Sequence, residues 1–361
     1  MQVWVQRAMA PLLVAGLLAP VLSSTAYAQT TAPQPAAAAT PGAPAAPAAP
    51  SGPTTQAPSV GTSPESKPFE EMTAEDLFGQ PIYADVKAQW DQAGFKPAPP
   101  GTDVRISGGA YTDTDGLGNL QVQEGFQGKP GSTLLWTNDD GWVEWDVNIP
   151  VDGLYEVTVD YYPIPGKRAS VQRDLLIDGQ LPFREAKRVV FQRVWKDAFW
   201  PPKRDNQGQD VRPPQVEVPQ WETKTIEDAD GRYDAPFQLA LTAGTHKLRL
   251  QTVRETIAIH TISFHAPQVI PTYQEKLAEW QGKGYKPVTG NKQLKYEAEV
   301  LYLKADPTIR GEVNFDALAS PTADGVFRLN SFGWWRWRLP GQWARWKVTV
   351  PEDGLYNISL N

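Results

Sequence analysis

At 361 residues, 41% hydrophobic and 21% charged, the chain has the length of two domains and enough apolar residues for ordinary cores. A net charge of −7 offers no basic face for counterion release and argues against nucleic acid as a partner. The absence of cysteine excludes disulfides, thiolate metal sites, cysteine nucleophiles and a lipid-modified cysteine, while 14 tryptophans exceed what packing demands.

Residues 1–28 read as a secretory signal: Arg7 precedes an apolar run from Ala8 to Leu22, and Ala26-Tyr27-Ala28 gives a small-x-small cleavage pattern before Gln29. Pro11, Gly16 and Pro20 interrupt the run, which makes it a poor membrane span; an uncleaved anchor is the other reading. An extracellular or envelope-associated protein is expected. Residues 29–70 are rich in Pro and Ala, cannot bury a core, and predict a disordered, semi-stiff polyproline II linker.

Residues 71–102 predict a short helix, with Thr73 and Asp76 as a capping pair, Ile82, Val86 and Trp90 on one face, and Gly94 and Pro97 as the stop. The organising stretch follows at Gly141–Tyr162, GWVEWDVNIPVDGLYEVTVDYY, two alternating strands joined by a Pro-x-Asp-Gly turn. It returns at 341–361 as GQWARWKVTVPEDGLYNISLN, 201 residues on from Trp142 to Trp343. The helix repeats too, with Tyr83, Trp90, Gly94 and Pro97 matched by Tyr273, Trp280, Gly284 and Pro287, an offset of 190 from Tyr83 to Tyr273.

Further strands are expected at Val171–Ile177, Arg188–Val194, Phe237–Leu241, Thr245–Val253 and Ile257–Phe264, with turns at Asp178-Gly179 and Ala243-Gly244. Asp197–Asp234 reads as a long functional loop. The predicted fold is all-β, an antiparallel β-sandwich: a first module at 103–268, a second helical segment at 269–290, and a truncated second module at 291–361. Such a truncation predicts unpaired strand edges and exposed apolar faces in 294–361.

The strings GWVEWDVNIPVDGLYEVTVDYY, LLIDGQLPF and LTAGTHKLRLQTVRETIAIHTISF resemble the galactose-binding-like, jelly-roll sandwiches of carbohydrate-binding modules of the family 6 and family 35 type. PIPGKRASVQRDLLIDGQLPFREAKRVVFQRVWKDA, DNQGQDVRPPQVEVPQWET and FGWWRWRLPGQWARW are similar to the paired N-terminal modules of large bacterial solute-binding proteins of ABC sugar importers. The resemblance covers roughly residues 73–361. It implies non-catalytic contact with a poly- or oligosaccharide, and a permease partner reached through a binding domain outside this sequence.

Sugar sites set aromatic faces against pyranose C–H groups with a few polar side chains for the hydroxyls. In the first module the candidates are Trp195, Trp200 and Trp221 with Arg168, Arg173, Arg212 and Tyr233; the structural reading is that these aromatics pin the loop. In the second, Trp334, Trp335 and Trp337 stand beside Arg336 and Arg338, and strand alternation would put Trp335 and Trp337 on one face. Trp142, Trp145, Trp343 and Trp346 repeat within the scaffold and read as structural.

The resemblance also implies that Glu299 in YEAEV, with Glu297, could help hold a structural calcium; the first module lacks the equivalent. Asp113-x-Asp115-Gly116 with Asn119 echoes a calcium loop but lacks the distal glutamate and reads better as a polar turn. No catalytic set emerges: Asp139 and Asp140 read as a turn, and His246, His260 and His265 lack metal spacing, with His260 and His265 expected on opposite strand faces. A structural or protein-interaction spacer at the cell surface is the alternative to sugar binding.

Overall fold

The computed structural model describes residues 79–290 and 293–360. All belong to the second of the two units into which the chain divides, Ser66–Asn361. The signal-like 1–28, the linker 29–70 and the Thr73–Asp76 pair lie outside the described residues.

Helix α1 (Tyr83–Gln92) buries Tyr83 and Val86 and carries no side-chain cap at Ile82. Its first amide is held from afar, the Tyr83 N–H donating to Glu185 Oε2 at 2.9 Å. The module then runs through β1 (Asp103–Ser107), β2 (Asp113–Thr114), β3 (Leu120–Glu124), β4 (Ser132–Trp136), β5 (Trp142–Ile149) and β6 (Gly153–Tyr162). Next come β7 (Val171–Ile177), β8 (Val189–Phe191), β9 (Trp195–Asp197), β10 (Lys203–Arg204), β11 (Asp210–Val211), β12 (Gln215–Glu217) and β13 (Glu222–Thr225). β14 (Gln238–Leu241), β15 (Gly244–Arg254) and β16 (Ile257–His265) complete it.

A seven-stranded sheet in the order β13-β6-β16-β4-β3, with β1 on β16 and β14 on β6, packs against a five-stranded sheet ordered β2-β5-β15-β7-β8. Val143, Trp145, Val147 and Ile149 of β5 share one core with Tyr155, Val157, Val159 and Tyr161 of β6 and with Leu248 and Leu250 of β15. The fold is therefore an all-β antiparallel sandwich. The turn at Pro150–Gly153 joins β5 of one sheet to β6 of the other, so the organising stretch spans the sandwich and is not a hairpin. The Asp178-Gly179 turn after β7 does close on itself: φ is positive at both residues (51° and 78°), the conformation a tight turn needs. Close approach fixes another glycine, since a Cβ on Gly108 would stand 1.9 Å from the Ile259 carbonyl oxygen.

Three expectations change. The strand read over Arg188–Val194 is broken between β8 and β9, because the buried Arg193 guanidinium reaches carbonyls of Ile164 and Ala169 and carboxylates of Glu217 and Glu255, acceptors that no single ladder supplies. Asp197–Asp234 is not structureless; it carries β10 to β13. His260 and His265 share the outer face of the larger sheet, where His260 meets Thr133 on β4 at 3.1 Å and His265 meets Thr158 on β6 at 2.7 Å. A β-bulge between Ile259 and Thr261 inverts the alternation, a displacement no sequence period reports.

After the module comes α2 (Tyr273–Gly282), capped reciprocally by Thr272 and Glu275. Among the described residues two short strands follow, β17 (Leu303–Lys304) and β18 (Ala344–Arg345). Structural equivalence with the first copy is close where it exists. Pro97 bridges Leu154 as Pro287 bridges Leu355. Trp145 Nε1 donates to Gly108 O as Trp346 Nε1 donates to Ala298 O, both at 2.9 Å. Tyr155 Oη donates to Val151 O as Tyr356 Oη donates to Glu352 O.

The strands expected over 343–360 are otherwise absent. In the first copy β5 is held by β15 along its whole length, and among the described residues nothing offers 343–350 that partner. Val348, Val350, Ile358 and Leu360 stay exposed. The segment is anchored instead on the first module, in a four-stranded sheet ordered β12-β9-β17-β18. Lys304, fully buried, pairs with Asp197 at 2.8 Å, and Arg345 grips Glu222 through two hydrogen bonds of 2.9 and 2.7 Å.

Candidate functional site

The aromatic candidates of the first module separate into different surroundings. Trp195 on β9 is buried, and the Arg168 guanidinium covers its ring at 4.9 Å while donating to the Gln215 carbonyl at 3.0 Å. Trp221 stands edge to face with Phe126, Tyr162 and His260, and Lys129 Nζ lies 4.7 Å over its ring. Tyr233 packs on Tyr83 and Phe237, and its hydroxyl accepts from the Ala84 N–H at 3.4 Å. Arg173 is buried, stacks on Trp136 at 4.4 Å and donates to the carbonyls of Gln172, Arg254 and Glu255; burial pushes its guanidinium down to about 9. Trp200 is half-buried beyond β9. Trp195, Trp221 and Tyr233 form no shared platform, because each of these rings is covered by a neighbour distant in sequence.

The second segment differs. Trp334–Arg336 is a 3₁₀ turn, not a strand, so the alternation expected for Trp335 and Trp337 does not apply. Trp335 and Trp337 are 47% and 37% exposed, large fractions for tryptophan in a chain whose Trp136, Trp145 and Trp195 are buried. The Arg336 guanidinium lies 3.6 Å over the Trp335 ring, and its Nε donates to Glu312 Oε1. Arg212 reaches the same carboxylate, Nη2 donating to Oε2 at 2.5 Å, with its guanidinium 4.9 Å from the Phe327 ring. Glu312 thus joins Arg212 of the long loop to Trp335 of the second segment. Trp337 packs against Phe332 and Trp346, with its indole N–H donating to Gln342 O at 3.1 Å.

The chain from Leu339 to Gln342 continues from these tryptophans to close a cleft of about 270 Å³ against the first module. Gln172 and Gln192 from the edge of the smaller sheet line it, with Lys224, Glu227, Asp228 and Asp306. Lys224 pairs with Glu227, and Asp228 is held by the backbone N–H groups of Asp230 and Arg232. Gln192 Nε2 donates to the Gly341 carbonyl, Gln342 Oε1 accepts the N–H groups of Arg338 and Leu339, and Asp306 accepts the Thr308 N–H. The Gln172 amide, the Gln192 amide oxygen and the second Asp306 oxygen are therefore what the cleft offers a polyhydroxylated ligand. Sequence reading missed Glu312, Gln172, Gln192 and Gln342. Of these Glu312 alone leaves a trace, the alternation Arg310-Gly311-Glu312, with Glu312 bridged to Ser331.

The donor set around Glu299 does not fit calcium, which takes roughly six to eight oxygen ligands. No group of three His, Cys, Asp or Glu side chains among the described residues is placed to hold a metal. Glu299 is buried, and desolvation, followed by the nearby Glu297 charge, pushes its carboxyl up to about 7, while Glu297 is engaged by Lys295 and Ser320. Asp113 and Asp115 accept from the backbone amides of Thr114, Leu117 and Trp142, the geometry of a polar turn. The histidines meet threonine hydroxyls, backbone carbonyls and, for His246, the Asp178 carboxylate at 2.8 Å.

No family model matches the chain, and no curated protein matches it. Solved structures do. The C-terminal CBM6 of LamC, a marine laminarinase of Zobellia galactanivorans, is similar at 12% identity over 45% of this chain and 99% of that one, with a TM-score of 0.28. A family 35 carbohydrate-binding module of Clostridium thermocellum is similar at 13% identity over 46% and 98%, TM-score 0.27. A GH26-CBM35 β-(1,4)-mannanase of Podospora anserina matches at 11% identity over 47% of this chain but only 29% of its own, TM-score 0.28. The sandwich itself is established by the sheet order and register described above.

Proposed function

We propose that this chain is a non-catalytic carbohydrate-binding protein, taking a glycan across the polar cleft and the exposed tryptophans beside it. The observation that carries the reading is that one short segment does both jobs: Trp335 and Trp337 are exposed, and Leu339–Gln342, joined to Trp337 by its indole N–H, close the cleft. Aromatic faces meet pyranose C–H groups, amides and carboxylates meet hydroxyls, and a cleft near the lower end of ligand-site volumes, roughly 300 Å³, suits a sugar unit. The CBM6 and CBM35 structures above are named as carbohydrate-binding modules.

The test is calorimetric titration of the full chain with plant and microbial polysaccharides and their oligosaccharides. Saturable binding to one class is expected, weakened at least roughly tenfold by Trp335→Ala, the effect of losing an aromatic contact of about 1–3 kcal/mol. Absence of binding across the panel by folded protein would move the reading to a surface spacer whose partner is another protein.

The finer reading places these modules in an exported solute-binding protein of an ABC-type sugar importer, with a permease partner engaged through a domain outside this sequence. It rests on the strings quoted above and on the signal-like residues 1–28. Protein recovered from outside the cytoplasm with Gln29 at its N-terminus is the expected result; a retained Met1 would contradict cleavage.

A further inference from the structure

Beside Trp335 the charges do not balance. Arg212, Lys304, Arg310 and Arg336 gather where the long loop of the first module meets the second segment, and the carboxylates paired with them are Asp197 and Glu312. Asp197 is taken by Lys304 and by the Gln215 amide at 2.6 Å; Glu312 is shared by Arg212 and Arg336. Arg310 makes no ion pair among the described residues. The buried Nε of Arg310 and the buried Nε of Arg212 have no hydrogen-bond partner, and the Gln215 Oε1 is likewise unpaired. Burial and the adjacent Arg336 and Arg212 charges hold the Arg310 guanidinium below the ordinary arginine range.

Buried donors of this kind are costly unless an acceptor arrives, and uncompensated like charges repel. A chain with net charge −7 has no general excess of cations to explain such a cluster. Guanidinium groups present forked N–H donors that match the oxygens of a carboxylate or sulfate. The exposed ring of Trp335, held flat by the Arg336 guanidinium, lies against the same cluster and gives the carrier of that oxyanion an apolar face.

We propose that Arg212, Arg310 and Arg336 bind an oxyanion carried on a glycan, with Trp335 stacking on the sugar ring that bears it. This rests on the carbohydrate reading and narrows it to acidic glycans. The carboxylate of a uronate and the sulfate ester of a sulfated sugar share the chemistry, and the two are separated by experiment.

Full-chain protein is titrated calorimetrically with four probes: a neutral oligosaccharide, a uronate oligosaccharide, a sulfated oligosaccharide and inorganic sulfate. One acidic glycan is expected to bind at least roughly tenfold more tightly than the neutral one, as a charged hydrogen bond provides. That preference falls as salt rises and disappears in Arg310→Gln. Because Arg310 holds no ion pair, its replacement removes charge without breaking one, and an unchanged or raised melting temperature confirms that the fold survives. Arg310→Lys retains part of the preference.

Equal binding of neutral and acidic glycans, unaltered by Arg310→Gln, overturns the oxyanion site and leaves the carbohydrate reading standing. If no glycan binds, the carbohydrate reading fails and with it the glycan carrier. Inorganic sulfate then decides the remaining part: binding lost in Arg310→Gln upholds the oxyanion pocket, and no binding overturns it.

Discussion

Glu255→Ala is expected to lower stability by about 3–5 kcal/mol, the cost of breaking a buried pair and stranding its partner. Glu255 and Arg193 are each 1% exposed in their side chains and meet at 2.8 Å. The same carboxylate accepts the backbone N–H groups of Lys167 and Ala169 at 2.9 and 2.8 Å, so its loss orphans two amides as well as Nη2 of the guanidinium. Arg193 keeps Glu217 at 2.6 Å, which limits the damage to the lower part of that range. Glu255→Gln, which preserves shape and one acceptor, is expected to cost about 1–3 kcal/mol. Denaturant midpoints of the two variants measure the difference; equal midpoints for wild type and alanine would show that the network adds nothing.

The consequence reaches the loop surface. Glu255 sits between β15 and β16 with φ of +69°, an unfavourable conformation held by its contacts. Through Lys167 and Ala169 it ties down the PIPGKRA turn, and that turn places Arg168 over Trp195. Gly166 is needed for the approach, since a Cβ there would stand 2.3 Å from Glu255 Oε2. Loss of the carboxylate should therefore also open the chain at Lys167 and Arg168 to trypsin.

Trp145→Ala is expected to cost about 3–5 kcal/mol from lost burial and the cavity it leaves. Trp145 is wholly buried between the sheets, and its indole N–H satisfies the Gly108 carbonyl. Trp145→Phe keeps most of the ring and forfeits the hydrogen bond, for about 1–3 kcal/mol. The repeat supplies an internal control. Trp346 makes the same bond to Ala298 but is only half-buried, so Trp346→Ala should cost clearly less than Trp145→Ala in the same thermal melts. A comparable loss at both positions would mean that the second segment is as tightly folded as the first.

Much of the first module was legible. Val171–Ile177 is the strand its alternation predicts, and Phe237–Leu241, Thr245–Val253 and Ile257–Phe264 each fall within one or two residues of the strand observed. The two offsets read from the sequence reappear as paired backbone bridges, Pro97 with Leu154 and Pro287 with Leu355. The candidate site was legible only in fragments. Trp335, Trp337 and Arg212 could be named, but Glu312, which joins Arg212 to Arg336 and Trp335, could not, because a hundred residues separate Arg212 from it.

What the sequence alone determined was local: side-chain alternation that marks a strand, Asp-Gly pairs that accept positive φ, and a repeated Trp-x-x-Trp strand with its Pro-x-Asp-Gly turn. These follow from short-range sterics and a two-residue period, which a chain displays before it folds. Tertiary structure decided which sheet each strand entered, that a bulge puts His260 and His265 on one face, that Arg168 and Lys129 cover Trp195 and Trp221, and that β17 joins β9. Those outcomes depend on which buried donor finds an acceptor and which ring finds a neighbour across the fold. Burial and pairing are properties of contacts between distant residues, and no window of sequence contains both partners.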